Sequence, residues 1–383
     1  MVSRYDVIII GLGAMGTAAC HHLARRNARI LGLDQFDIPH GRGSSHDHSR
    51  MIRLAYHEHP NYVPLLRRAY ELWHELERAS GQTLLHLTGG LYMGPPRGEL
   101  VSGALSAARE HHLPHELLSR SQLAERFSQF TVPDDFVGVL EPNAGFLLPE
   151  RVISAHAELA MRAGAELHGR EEVIDWEADA TGGTVRTRRG TYRADHLLFC
   201  GGAWSAQLLR DLGVELVVTR QALGWVWPKQ PELFELGRFP VWAIGQPDGS
   251  LHYGFPMMGP SGDNPGLKIA HHARGAMADP RTVSREPMAG DEESFRWVLE
   301  RYLPAADGPL LSLRTCLYTN SPDGHFIIDR HPKHANVTLA CGFSGHGFKF
   351  ASVMGEVLAD LSLQGRTQWP VEFLRLDRFK YVG

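Results

Sequence analysis

Gly11, Gly13 and Gly16 stand as G-x-G-x-x-G, and an acid, Asp34, follows the last of them by roughly 20 residues, the spacing of a dinucleotide fingerprint. Gly11 permits a tight turn. Gly13 lets a pyrophosphate approach a backbone that has no Cβ, and Gly16 lets a helix pack closely on a strand. Ala14 and Met15 complete the turn, where free N–H groups and the positive helix end favour phosphate. Asp34 is placed to accept hydrogen bonds from ribose hydroxyls. The fingerprint serves NAD and FAD alike. Arg42, Arg50 and Arg53 follow, in or just after a Gly-, Ser- and His-rich loop. A loop leaving the carboxyl end of a nucleotide-binding strand borders the ligand crevice. Its arginines suit phosphates, a flavin ring or a substrate carboxylate. His46, His48, His57 and His59 alternate nearby, but no Cys or carboxylate cluster completes a metal site, and no metal is expected. Cys20, Cys200, Cys316 and Cys341 are scattered without a C-x-x-C pair, so neither disulfides nor a zinc knuckle are expected.

The elements that must position these residues are legible in outline. Val7 to Ile10 is a β-branched run suited to a buried parallel strand. Ala14 to Arg26 reads as a helix, and Ala28 to Leu33 as a second strand ending at Asp34. Val63 to Ala79 is an amphipathic helix stopped by Gly81. Leu84 to Met93 reads as a strand broken by Gly89 and Gly90. Helices are expected over Gly103 to His112, Ser121 to Phe127 and Pro149 to Ala163. Short strands at Leu167, Val173 to Trp176, Thr184 to Thr187 and Thr191 to Ala194 form a meander. His196 to Cys200 is a separate buried strand, and Gly201 and Gly202 after it suggest a second close approach of backbone to cofactor. From Val214 the chain turns β-rich, with strands at Leu216 to Trp227, Val241 to Ile244, Leu251 to Phe255 and Leu267 to His271, and a helix at Glu292 to Tyr302. Arg314 to Asn320 precedes a strand at Phe326 to Asp329, and Val337 to Ala340 is another. Gly342, Gly345 and Gly347 then turn into a helix from Ala351 to Leu363, a second anion- or carbonyl-friendly helix start.

This pattern predicts an α/β protein. A Rossmann-like nucleotide-binding domain is assembled from residues 1–84, 150–213 and 321–383. A second, β-rich α+β substrate domain is assembled from 85–149 and 214–320. A chain of 383 residues can bury a large core. The net charge of −4, with no basic block, speaks against a nucleic-acid partner. No apolar run is long enough to span a bilayer, and the early first strand leaves no signal peptide, so the cytoplasm is the expected location.

The motifs GLGAMG, GSSHDHSRMIR, TGGLYMG, HYGFP, GLKIAHH, RTCLYTNSPDGHFIID and GFSGHGFKFA are spread over nearly the whole chain. Together they resemble the family of monomeric sarcosine oxidase and N-methyltryptophan oxidase. The resemblance implies a glycine-oxidase-like, two-domain, monomeric flavoprotein that oxidises the C–N bond of small secondary amino acids and is reoxidised by O₂. It implies FAD attached covalently through Cys316, with Arg314 beside it expected to favour thiolate. Lys268 matches the lysine that promotes reaction with O₂. Arg53 and Lys349 match the pair that holds the substrate carboxylate. His272, Tyr253 and Tyr318 match residues of the substrate pocket, and Arg50 and His46 match basic residues on the flavin face. With the fingerprint, the expected cofactor contacts are Gln35, Arg42, Ser44, Arg50, Val173, Cys200, Gly201, Trp204, Gly342, Phe343, Ser344, Gly345, His346, Gly347, Phe348 and Lys349. The loop Gly43 to Arg50 departs from the family's usual reading, and the run Met257 to Pro265 looks longer. Substrate choice therefore extends to bulkier or cyclic secondary amino acids: N-methyltryptophan, proline and pipecolate. Two readings from other classes are a nicotinamide-dependent dehydrogenase and a non-catalytic flavin module that hands electrons to a partner.

Overall fold

The computed structural model describes residues 4–209, 211–259, 266–273 and 275–379. Most of the run Met257 to Pro265, namely residues 260–265, lies outside the described residues. Among the described residues, two eight-stranded sheets and one three-stranded sheet organise the fold. In the first sheet, Arg4–Ile10 lies between the parallel strands Ile30–Leu33 and Thr191–Phe199, with Glu166–His168 beyond Ile30–Leu33. The run Val7 to Ile10 is wholly buried, as expected of a strand covered on both faces. Thr191–Phe199 is one continuous strand, where the sequence suggested two. Its first half pairs antiparallel with the meander strand Gly182–Thr187, and its second half pairs parallel with His334–Cys341. The change of partner explains the change of texture: mostly exposed or half-buried up to Asp195, with Ala194 the buried exception, and wholly buried from His196 on.

The helix Ala14–Ala24 is buried on every side, between the helices Pro149–Arg162 and Ala351–Gln364. Its small residues permit this. A Cβ on Gly355 would lie 2.6 Å from the Ala18 carbonyl carbon, so only glycine allows the two helices to approach so closely. The helix Val63–Ser80 ends at Gly81 with φ +69°. Its buried Trp73 donates a hydrogen bond of 3.0 Å to the Lys349 carbonyl, which fixes the turn that enters the last helix.

The second sheet runs in the order Leu310–Asn320, Val217–Val226, Leu267–His272, Leu251–Phe255, Val241–Gly245, Gly90–Gly94, Val137–Glu141 and Glu116–Leu118. The motif RTCLYTN is itself the end of an eleven-residue strand rather than a lead-in to one. The period of two puts Cys316 and Tyr318 on one face of it. Register then places Leu223, Trp225, Ala270 and Tyr253 on that same face, packed as one cluster. The third sheet joins Arg50–Ile52 with Gly145–Leu147 and Leu85–Leu87 and carries Arg50.

Candidate active site

A deep cleft runs from the fingerprint turn to the cluster face of the second sheet. It is lined at one end by Gly11, Gly13, Ala14, Met15, Asp34, Gln35, Val173, Cys200, Gly201 and Trp204. At the other end it is lined by Ser44, Arg50, Tyr253, Cys316 and Tyr318, with Gly342, Phe343, Ser344, Gly345, Gly347 and Phe348. The glycines divide their work as their positions require. Gly11 has φ +95°, and a Cβ there would overlap the Cys200 carbonyl. A Cβ on Gly16 would overlap the Gly11 carbonyl oxygen. A Cβ on Gly13 would meet only Ser45 Oγ, at 3.8 Å, so this glycine keeps open the space toward the cleft. Asp34 accepts hydrogen bonds from the Leu12 and Phe36 amides, at 2.7 and 2.8 Å. Burial raises its pKa, against the opposing pull of His40. The cleft thus has a closed cradle, an acid at the strand end and an open backbone between them, which fits the two halves of a dinucleotide.

Arg42 is exposed and does not line the cleft. His46 lies behind the lining, with Nε2 at 2.9 Å from the Gly43 carbonyl and Nδ1 at 2.6 Å from Asp47 Oδ2. His57 faces Glu58, and His59 accepts a hydrogen bond from the Asn61 amide. Arg50 donates to the Ser44 and Ser49 carbonyls, and its Nη2 lies 3.6 Å from Cys316 Sγ. This replaces the expected partner of the thiol: Arg314 is exposed on the strand and Arg50 is the cation in contact. Burial pushes the Cys316 pKa up, and Arg50 only partly opposes it.

Lys268 is buried. It donates to the Asp47 and Ser49 carbonyls at 2.7 and 2.9 Å, and its Nζ lies over the rings of Phe255 and Trp225 at 5.0 and 5.2 Å. Loss of hydration lowers its pKa from 10.5 to about 7, reinforced by Arg50. His272 shares the face of Lys268 four residues on. Its Nδ1 is 3.2 Å from Tyr318 Oη, and burial lowers its pKa to about 4. It is therefore neutral at pH 7.

A second set of groups gathers near His272, whose charged neighbours are Glu58, Arg53 and Lys349. Arg53 holds both oxygens of Glu58 through Nη2, at 2.6 and 2.7 Å, while its buried Nε has no acceptor among the described residues. Burial alone would raise the Glu58 carboxyl; Arg53 and His57 hold it far below the usual range. Lys349 donates to the His346 carbonyl at 2.7 Å and lies 5.1 Å from the Tyr56 ring centre. Burial, with Arg53 beside it, lowers its pKa to about 7. The His346 ring bonds Tyr56 and the Gly324 carbonyl, so it belongs with this set and not with the cleft lining. Glu58, Tyr56, Tyr92 and Glu141 complete the surroundings of Arg53, and none was singled out from the sequence.

Comparison with known proteins agrees with this architecture. The family described as "FAD dependent oxidoreductase" matches residues 6–361. The chain belongs to that family. It is an oxidoreductase that uses FAD. It is 43% identical over 373 residues to monomeric sarcosine oxidase of Streptomyces avermitilis, with 97% of each chain covered. It is 35% identical over 381 residues to N-methyl-L-tryptophan oxidase of Escherichia coli, covering 98% of this chain and all of the relative. Among solved structures, NikD, titled an unusual amino acid oxidase, superposes with a TM-score of 0.84 at 25% identity, with 97% of each chain covered. Glycine oxidase of Geobacillus kaustophilus gives 0.80 at 22% identity, with 97% and 98% covered, and shares the fold. Among the described residues, no helix is long and apolar enough to cross a membrane.

Proposed function

We propose that this protein oxidises sarcosine or a similar N-methyl amino acid, taking O₂ as acceptor, with FAD joined covalently to Cys316. For sarcosine the balance is sarcosine, O₂ and water giving glycine, formaldehyde and hydrogen peroxide. The observation that carries the reading is the pair of buried cations, Arg53 and Lys349, close to His272 on a sheet face that also bears Tyr253, Lys268 and Tyr318. Arg53 Nε is an orphaned donor, and among the described residues Lys349 has a carbonyl partner only. A substrate carboxylate supplies the acceptor that both need.

The fingerprint cradle, Asp34 and the Gly342 to Phe348 turn would hold the FAD, and Arg50 would face it beside Cys316. When bound, the cofactor supplies a two-electron acceptor for the C–H bond next to nitrogen and passes those electrons to O₂. The protein's own groups do the rest. Arg53 and Lys349 fix the carboxylate, and their charge favours loss of the proton on the substrate amine, so that the lone pair is free. Neutral His272 adds no further cation. The aromatic walls exclude water until the imine is released for hydrolysis. Lys268, held by two carbonyls in a dry setting, places a positive charge where oxygen gains electrons.

Acid precipitation of the purified protein tests the linkage: yellow colour and flavin fluorescence stay in the washed pellet. Colour in the supernatant would remove the role of Cys316. A peroxide assay over sarcosine, N-methyltryptophan, proline and pipecolate then decides the substrate. Sarcosine is expected to lead. The relatives named monomeric support a single-chain enzyme, to be checked by light scattering.

A further inference from the structure

Residues 46 to 58 carry much of the site's charge, yet their one strand is Arg50–Ile52, paired with Gly145–Leu147. A glutamate stands on each side of that partner, and neither lines the cleft. Glu141, 1% exposed, accepts from the Leu54 and Ala55 amides at 2.6 and 3.1 Å and from Tyr92 Oη at 3.0 Å. The Arg53 guanidinium lies 5.7 Å from the Tyr92 ring centre and 4.9 Å from that of Tyr56. One carboxylate thus fixes both the backbone leaving Arg53 and a ring against which its head rests.

Glu150 does the equivalent work at the other end. It accepts from the Asp47 amide at 2.6 Å and the His48 amide at 3.2 Å. Those residues have φ +72° and +66°, a left-handed pair without glycine that persists only where its surroundings hold it. The turn they make aims the Asp47 and Ser49 carbonyls at Lys268 Nζ.

We propose that Glu141 and Glu150 are positioning residues that clamp the two ends of this segment, Glu141 setting Arg53 for the substrate carboxylate and Glu150 setting Lys268 for the oxygen step. The assignment rests on the roles given above to Arg53 and Lys268, and it predicts that the two glutamates affect different half-reactions.

The test uses the holoenzyme. Acetate and its neutral analogue acetamide are titrated by the change in flavin absorbance, and reoxidation by O₂ is timed after reduction with dithionite. Glu141→Gln is expected to weaken acetate about tenfold, the scale of one charge-assisted hydrogen bond, with acetamide and reoxidation unchanged. Glu150→Gln is expected to slow reoxidation about tenfold, part of the loss seen when a whole electrostatic group is removed. It leaves acetate affinity alone and speeds amide hydrogen exchange at residues 47 and 48. If Glu141→Gln does not accumulate, Tyr92→Phe replaces it, keeping the ring and losing one of the carboxylate's donors; unchanged acetate binding there overturns the role of Glu141. Arg53→Lys and Lys268→Met serve as controls. If these controls act as expected while the glutamate variants do not, or if each glutamate variant impairs both steps alike, the clamp is refuted. If Arg53→Lys leaves acetate binding intact, the carboxylate reading itself fails and the clamp falls with it.

Discussion

Lys268→Met should make the protein more stable and a poorer oxidase at once. Burial lowers the Lys268 pKa from 10.5 to about 7. A fall of about 3.5 in pKa, at about 1.36 kcal/mol for each, sets the cost of the buried charge at about 5 kcal/mol near pH 7. Methionine fills similar space without that cost, but it leaves the Asp47 and Ser49 carbonyls without their donor, a loss of about 1–3 kcal/mol. The net gain is about 2–4 kcal/mol. The sign with pH follows from proton counts. Between pH 7 and 10.5 the unfolded lysine keeps its proton and the folded one has lost it, so stability rises with pH across this window. The variant loses the share of that slope due to Lys268, while Lys349, lowered likewise to about 7, retains its own. Urea midpoints of the two holoenzymes at pH 7, 8 and 9 measure both effects. Stopped-flow reoxidation at pH 6, where Lys268 keeps its proton, measures the chemistry, and loss of the charge should cost about 10²–10³ in rate. A variant less stable than the parent at pH 7, with an unchanged pH slope, would refute the desolvation argument. Unimpaired reoxidation would refute the catalytic one.

The other expectations are briefer. Cys316→Ala should fold, since the thiol is a small buried group, and should release its flavin on acid precipitation; colour retained in the pellet would place the linkage elsewhere. Gly13→Ala and Gly16→Ala should part company, because a Cβ at Gly13 meets one flexible side chain and a Cβ at Gly16 overlaps a carbonyl. The first should accumulate as folded protein with weakened flavin retention, and the second should fail to give soluble protein. His21, His22 and His156 pack together, with burial lowering His21 to about 4, His22 to about 3 and His156 well below its ordinary value. The unfolded chain takes up protons below pH 6.5 that this trio refuses, so stability falls as pH falls from 6.5 toward 4. His156→Leu should lessen that fall, read as a smaller difference between urea midpoints at pH 7 and pH 5.

Elements with a local signal were legible in the sequence. The fingerprint turn, the helix Val63–Ser80 with its terminal Gly81 and the second-sheet strands Val217–Val226, Val241–Gly245, Leu251–Phe255 and Leu267–His272 follow from period, caps and β-branched runs, whereas Glu116–Leu118 and Val137–Glu141 of that sheet were missed. The backbone part of the cleft lining was legible too, at Gly11, Gly13, Gly201, Gly342, Gly345 and Gly347, because a Gly-rich turn reports where backbone must come close to something. Thr191–Phe199 was split because its two halves face different neighbours and so differ in texture, while the continuity of its backbone leaves no local mark. Arg314 was chosen as the cation for Cys316 by closeness in sequence. The true neighbour, Arg50, reaches the sulfur across 266 residues, through packing between two separate sheets that no single segment encodes.

The three glutamates were missed for a related physical reason. Glu58, Glu141 and Glu150 stand alone in sequence, and each looks like an ordinary surface acid. Their value lies in what they face: a guanidinium for Glu58, and backbone amides for the other two. Arg50, Arg53, Lys268 and Lys349 bring four cations into one buried region. A carboxylate placed directly against every one of them would neutralise the field that a substrate anion and oxygen require. Here only Arg53 has a carboxylate at salt-bridge distance among the described residues. Arg50, Lys268 and Lys349 are held instead by carbonyl oxygens, which orient a cation without cancelling its charge. Glu141 and Glu150 act one step further out, on the backbone, so the loop is held firmly while the charge stays available to a ligand.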